Sequence, residues 1–467
     1  MTDRGVRAGQ PRVPAPRHPR PRLDVDVPRL AALEVLKAVR VDDAYANLVL
    51  PAVIQHYQLD TRDAAFTTEL ASGTLRLRGT YDAILAACID RPLRKVEDRV
   101  LDALRIGAHQ LLSMRVPTHA AISTMVNLVH ARSSSGAAGF TNAVLRKVAE
   151  RELDDWIEQL TPDPVASPSK YAEIAFSHPR WVVDEFRKAL GAEELFALLA
   201  ADNEPPRVTL VARPGRSTRD ELQGEPTVYS RHGVVLTSGS PASVPAVLEG
   251  RAGVQDEGSQ LIAQLLADAS LEGSDRTWVD LCAGPGGKSA LLAGLAAERG
   301  AGLLAVELQQ HRSRLVSRTL AGADGVLGVV TADGTSPPLR PDSVDRVLVD
   351  APCTGLGALR RRPEARWRRK PDDLLTLVLL QRRLIGAALD LVRPGGVVVY
   401  STCTPVTSET GQVVSSVLQQ RSDVELEDAG PLLAGVPNAA GPLPGTIQLW
   451  PHRHGTDAMF MALLRKV

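Results

Sequence analysis

Cysteine is scarce in this chain: four in 467 residues, Cys88, Cys282, Cys353 and Cys403. They are too few and too scattered for a disulfide framework or a zinc ribbon, and no metal site is expected; a reducing cytoplasm suits them. Long apolar runs are missing as well. No stretch approaches the roughly 18 apolar residues of a membrane span, and the opening MTDRGVRAGQPRVPAPRHPRPR has no apolar core of a signal peptide, so neither secretion nor a membrane is expected. Net charge is absent too. The 54 basic residues balance 54 acidic ones, which leaves only the distribution of charge to speak for or against a nucleic-acid partner. Lysine is rare, eight against 46 arginines. A GC-rich genome explains that skew as well as any demand for bidentate phosphate contacts, and no function is drawn from it.

What is present suits several folded domains. The length is about three times that of a usual domain, and 44% hydrophobic with 23% charged residues is ordinary for a globular protein. Residues 1–22 hold six Arg, five Pro and one acid, too polar and Pro-broken to pack, so 1–28 reads as a disordered basic arm. Residues 29–150 read as an all-α domain, with Leu101, Leu104, Ala108 and Leu111 at helical spacing. The run Ser133–Gly136 is expected to interrupt it before a last amphipathic segment, Phe140 to Val148, carrying Asn142 and Arg146. Residues 151–250, rich in Pro and charge, read as a small α+β linking domain. Beyond that, 251–467 alternates apolar strands (Trp278–Leu281, Leu303–Val306, Val326–Val330, Val344–Val349, Val397–Tyr400) with helical stretches. That alternation predicts a Rossmann-like α/β domain with a mostly parallel, doubly wound sheet.

The first of these strands runs into Asp280-Leu-Cys-Ala-Gly-Pro-Gly-Gly-Lys288. Its glycines, Gly284, Gly286 and Gly287, let backbone approach a ligand at a helix N-terminus. A phosphate-binding P-loop is the rival, but it needs Gly six residues before the Lys, where Cys282 stands. Glu307 ends the second strand, 23 residues after Gly284, where an acid pairs with ribose hydroxyls; Asp333 follows the third strand and Asp350 ends the fourth. Any one of these acids alone reads as a surface residue or cap. Three at successive strand ends imply a nucleoside cofactor held by Cys282, Ala283, Gly284, Pro285, Gly286, Gly287, Lys288, Glu307, Asp333 and Asp350. Asp350-Ala-Pro-Cys353 and Tyr400-Ser-Thr-Cys403 then put two thiols at the same edge, which suggests nucleophilic chemistry, whereas Cys88 and Cys282 read as packing.

These motifs, in this order, resemble the S-adenosylmethionine-dependent RNA cytosine-5 methyltransferases. With Gln255-Asp-Glu-Gly-Ser-Gln260 before them and Gly455-Thr-Asp-Ala-Met-Phe-Met-Ala at the end, the likeness covers essentially all of 250–467. Ala137-Ala-Gly-Phe-Thr-Asn-Ala-Val-Leu-Arg146 resembles the closing helix of a NusB-like RNA-binding domain. Ser177-His-Pro-Arg-Trp181 and Asn203-Glu-Pro-Pro206 are similar to the connecting region of the Sun/Fmu, or RsmB, type, which acts on 16S ribosomal RNA. Thr354 and Thr404 replace the commoner Ser, and Glu409-Thr-Gly replaces the usual Glu-Asn-Glu, so Glu409 is left out of the site.

The resemblance implies that S-adenosylmethionine is the cofactor, that Cys403 is the nucleophile, that Cys353 assists release, and that Asp350 and Lys288 serve the base. Cytosine C5 is too poor a nucleophile on its own, and addition of a thiolate to C6 makes it an enamine. The basic run Arg360–Lys370, with seven cations, one acid and Trp367, is expected to meet RNA through Arg361, Arg362, Arg366, Trp367 and Arg368; a solvated loop is the plainer alternative. The expected partner is 16S ribosomal RNA and the expected state a monomer. The alternatives are a non-catalytic NusB-like antitermination scaffold, or a methyltransferase acting on tRNA or DNA cytosine.

Overall fold

The computed structural model describes residues 25–467. The basic arm expected over 1–28 lies outside them save for its last four residues, and there a helix, Val27–Val41, has already begun. Asp26 sets that start: its carboxylate accepts from Arg29 N at 3.0 Å, and Pro28 occupies the first turn, where a missing N–H costs nothing.

Seven helices, Val27–Val41, Ala46–His56, Thr61–Arg76, Arg78–Cys88, Asp98–Leu112, Thr118–Arg132 and Ser135–Val148, surround one apolar core that includes Leu101, Leu104, Ala108 and the buried Cys88. The Ser133–Gly136 run interrupts the helices as expected, but briefly: one helix ends at Arg132 and only Ser133 and Ser134 separate it from the next. Ser134 Oγ accepts from Ala137 N at 3.1 Å, so the cluster is an N-cap and the last helix starts at Ser135. Four shorter helices follow, Leu153–Leu160, Pro168–Ala175, Arg180–Leu190 and Leu195–Ala201. They lead into an antiparallel sheet of β1 (Thr209–Ala212), β2 (Glu225–Pro226), β3 (Gly233–Val235) and β4 (Ala252–Val254), in the order β2-β3-β1-β4.

The large sheet has eight strands: β5 (Thr277–Asp280), β6 (Gly302–Glu307), β7 (Val326–Thr331), β8 (Val344–Asp350), β9 (Val392–Thr402), β10 (Val424–Glu427), β11 (Ile447–Gln448) and β12 (Phe460–Lys466). Its order is β10-β12-β9-β8-β5-β6-β7, with β11 on β12; β9, β8, β5, β6 and β7 run parallel, while β12 is antiparallel to both neighbours. Helices Glu257–Asp268, Gly287–Glu298 and Gln310–Leu320 cover one face, and Asp373–Leu391 and Gly411–Gln420 the other, which is why the central strands are apolar on both sides. The chain moves outward from β5 in both directions. The crevice at the carboxyl ends of β5 and β8 is therefore the ligand position this topology creates.

Buried arginine on the central strands is matched by acid and carbonyls. Arg346 in β8 is almost wholly buried, yet its guanidinium reaches Asp275 at 2.7 and 2.8 Å and the carbonyls of Leu266 and Ala269. Among the described residues no helix is long and apolar enough to cross a membrane.

Candidate active site

The turn Cys282–Lys288 leaves the carboxyl end of β5 and enters the helix Gly287–Glu298. Beneath it Asp280 accepts from Cys282 N (3.2 Å) and Ser289 Oγ (2.7 Å), and burial pushes its carboxyl up to about 6. Gly284 N donates to Glu307 Oε2 at 3.0 Å, and a Cβ at Gly284 would lie 2.2 Å from that oxygen, so only glycine fits so close to the acid. The other Glu307 oxygen accepts from Gln309 N at 3.0 Å, and Arg312 Nη2 donates to Gly284 O at 2.6 Å. Asp333 follows β7 and is exposed; the backbone and hydroxyl of Thr335, both at 2.8 Å, hold its carboxyl below the usual range. The buried Gln255 has neither amide atom in a hydrogen bond to the protein, and it faces the helix N-terminus at Gly287. Cys282 packs beside the core, and burial pushes its thiol up, as befits an inert role.

At the end of β8, Asp350 accepts from Lys288 Nζ at 2.8 Å and from Ser401 Oγ at 3.2 Å. Asp350 and Lys288, named separately from the sequence, thus form an ion pair. Cys353 Sγ lies 3.4 Å from Cys403 Sγ. The two differ in setting: Cys403 is half-buried and Cys353 buried. The hydrogen bond from Cys353, with Lys288 and Arg362 nearby, pulls the Cys403 thiol down against the opposing effects of burial and Asp350. The same bond, then burial and the Glu409 carboxylate, push Cys353 well up. Of the two thiols, Cys403 is thus the more readily deprotonated and Cys353 the one that holds its proton.

The basic run after Cys353 corrects the expectation of a phosphate-binding loop. Arg361 is bound by Asp256 (2.6 Å) and Asp457 (3.2 Å). Arg366 is fully buried, its guanidinium pointing at the carbonyls of Arg76, Ser177 and Asp202 and at Asn203 Oδ1. Arg368 pairs with Asp43 at 2.9 Å and donates to the carbonyls of Val39 and Ala44. Trp367 packs on Gly79 under the Arg78 guanidinium. Arg366, Trp367 and Arg368 are committed to joints between the sheet domain, the helical domain and the connecting helices, and Arg361 is held within the sheet domain. Arg362 differs: it lies over the Tyr45 ring, half-exposed, and is close enough to Cys403 to lower its thiol. Of the five residues assigned to RNA, Arg362 alone keeps a position at the active edge.

Sequence reading missed Gln255, Arg312, Ser401, Gln381 and the place of Glu409. Gln255, Ser401 and Glu409 sat in motifs that could have exposed them. Arg312 and Gln381 reach the site from helices whose pattern signals packing alone.

The fold and the site together define a Rossmann-like methyltransferase carrying two thiols, joined to a helical domain of the NusB kind. The model of the family described as 16S rRNA methyltransferase RsmB/F matches residues 269–465, and that of the NusB family matches 26–150. Rv1407 of Mycobacterium tuberculosis, provisionally named a methyltransferase, is 48% identical over 97% of this chain and 99% of its own length. Ribosomal RNA small subunit methyltransferase B of Pseudomonas syringae is 32% identical over 94% of this chain and 97% of its own. The crystal structure of PH0851 aligns with TM-score 0.77 at 22% identity, over 96% of this chain and 100% of that one. The chain belongs to the RsmB family of methyltransferases with a NusB-like N-terminal domain.

Proposed function

We propose that this protein transfers a methyl group from S-adenosylmethionine to C5 of a cytosine in ribosomal RNA, in its 16S species, through a covalent adduct between Cys403 and C6. The observation that carries the reading is the thiol pair, with Cys403 more open, poorer in proton and flanked by cations. The chain divides for this task into a helical RNA-binding unit (29–150), a linking unit (151–250) and the methyltransferase unit (251–467). The names of the relatives support ribosomal RNA as the substrate class.

The residues around Gly284 suit the cofactor. Glu307 keeps lone pairs for ribose hydroxyls, Asp333 is open at the next strand end, and the unpartnered Gln255 amide faces the turn at the helix N-terminus, with Cys282–Lys288 forming the backbone cradle. S-adenosylmethionine supplies an electrophilic methyl group there.

Cys403 Sγ, as thiolate, forms the bond to C6, and the C5=C6 electron pair moves onto C5, with charge spread toward N3 and O2. Asp350, held by Lys288 and Ser401, sits where a base entering between the thiols meets it near N3, and Lys288 offsets the developing negative charge. After methylation C5 gives its proton to solvent water, the C–H electron pair re-forms the C5=C6 bond, and the C6–S bond breaks with its pair going to sulfur, returning Cys403 to thiolate. Cys353, 3.4 Å away and protonated, donates a hydrogen bond to the departing sulfur.

The test is trapping. Cys403→Ala should form neither adduct nor product while still binding cofactor. Cys353→Ala should attack and methylate yet stall in release, accumulating as a denaturation-resistant RNA adduct on a gel. An exchange of these outcomes assigns the nucleophile to Cys353, as in DNA cytosine methyltransferases. Full activity of both variants ends the covalent reading.

A further inference from the structure

Glu409 lies six residues past Cys403 in a triplet that departs from the family pattern, and its side chain is completely buried. It does not touch the space between the thiols. One carboxylate oxygen accepts from Thr354 N at 2.9 Å and from Gln381 Nε2 at 3.0 Å; the other accepts from Thr354 Oγ1 at 2.5 Å. Thr354 Oγ1 is also 3.0 Å from Thr404 Oγ1, which takes up Val406 N at 3.2 Å. Thr354 and Thr404 are the residues directly after Cys353 and Cys403. Gln381 extends the same network to the carbonyl of Pro352, before Cys353, at 2.9 Å, and Tyr400 donates to the Glu409 carbonyl at 2.6 Å. One buried carboxylate therefore ties together the backbones that carry both sulfurs.

We propose that Glu409 is a positioning residue for the two-thiol centre: by clamping Thr354 and Thr404 it fixes Cys353 Sγ against Cys403 Sγ. The inference rests on the catalytic reading above for its meaning, though not for its test. Thr354 Oγ1 bridges the Glu409 carboxylate and Thr404 Oγ1, so the acid and both hydroxyls form one continuous buried chain. Without the acceptor, the Thr354 hydroxyl and the Gln381 amide lose a buried partner and the thiol loops are free to part. The Cys353-to-Cys403 hydrogen bond that lowers the Cys403 thiol goes with them. A glutamine can replace the acid in this scheme. Its carbonyl oxygen takes the Thr354 and Gln381 N–H groups, and its amide donates to Thr354 Oγ1, which turns to donate to Thr404. The substitution removes the charge and keeps the clamp.

The experiment compares wild type, Glu409→Ala and Glu409→Gln as full chains. It reads the pH profile of iodoacetamide alkylation at Cys403, located by mass spectrometry, and the rate of RNA adduct formation. In Glu409→Ala the Cys403 profile should move to higher pH, and its alkylation near pH 7 should slow about tenfold, with adduct formation falling at least as far. Glu409→Gln should stay within about twofold of wild type in both. Should Glu409→Ala fail to fold, Thr354→Val removes the shared hydroxyl at nearly constant volume and should shift the same profile in the same direction. A Cys403 profile unmoved in Glu409→Ala, or in Thr354→Val where that stands in, overturns the clamp, as does a Glu409→Gln protein as impaired as the alanine variant. A wild type that forms no RNA adduct would retire the covalent reading instead, and leave the alkylation comparison fully informative.

Discussion

At the scale of single residues, the active edge is crowded by backbone as much as by side chains. Gly357 N donates to Cys403 O at 2.9 Å, Ala458 N donates to Gly357 O at 2.8 Å, and a Cβ at Gly357 would lie 2.1 Å from Ala458 O and 2.9 Å from Cys403 O. Gly357→Ala must therefore displace the strand end that carries Cys403. Adduct formation should fall by about tenfold or more while calorimetry finds cofactor affinity unchanged, because the Gly284 turn lies on another strand. Glu307→Ala is the complementary case: cofactor affinity should drop by about 1–3 kcal/mol, the cost of a lost charged hydrogen bond, and ATP binding in its place would revive the P-loop reading. Residues of this kind were partly legible in the sequence. Gly284, Glu307 and Asp350 sit at spacings that a nucleoside site dictates, and the two cysteines stand at strand ends. Glu409 was in view, but its role was not, because a buried acid reveals its use only through partners that lie 28 and 55 residues away.

At the scale of elements, alternation of apolar strands and helices was enough to place all five parallel strands. The same reasoning located the interruption at Ser133–Ser134 and missed only that Ser134 caps a helix beginning at once, at Ser135. It also took 360–370 for a surface loop, since charge density in a sequence does not distinguish arginines facing phosphate from arginines facing carbonyls. The apolar residues around that run were the overlooked signal. Leu356, Leu359 and Ala365 share one core with Val182, Phe186 and Leu198 of the connecting helices. Arg366→Ala would strip five backbone and amide acceptors of a buried donor and should cost about 2–4 kcal/mol, seen as a lower unfolding midpoint. The salt dependence of RNA binding should not change with it. Arg362→Ala should do the reverse, lowering the slope of log affinity against log salt by about one unit with little effect on stability, if its guanidinium neutralises one phosphate.

Across the whole molecule, the joint around Arg366 also holds Asp202, whose carboxylate oxygens make no hydrogen bond to the described residues, Oδ2 lying 3.6 Å from His178 Nε2. Burial pushes this carboxyl up to about 7. The folded state thus holds a proton that the unfolded chain releases near pH 4, so this group's contribution to stability falls as pH rises from about 4 through 7. Asp202→Asn removes the dependence. Relative to wild type it should be more favourable at pH 8 than at pH 5, by about 1–3 kcal/mol, in denaturant unfolding at the two pH values.

The joint has a consequence for how such proteins can be recombined. Glu364 accepts from Ala46 N at 2.9 Å, Arg368 holds the turn before that helix, and Arg366 reaches Arg76 O, all from a segment that begins a few residues after Pro352-Cys353. A methyltransferase half excised at residue 250 would keep both thiols and the cofactor turn and lose the surface that shapes the loop between them. A chimera that borrows the helical half of a distant relative should be inactive even when both halves fold. Activity should return when residues 360–369 are transplanted along with it, because the heritable unit is the domain together with the strap it grips.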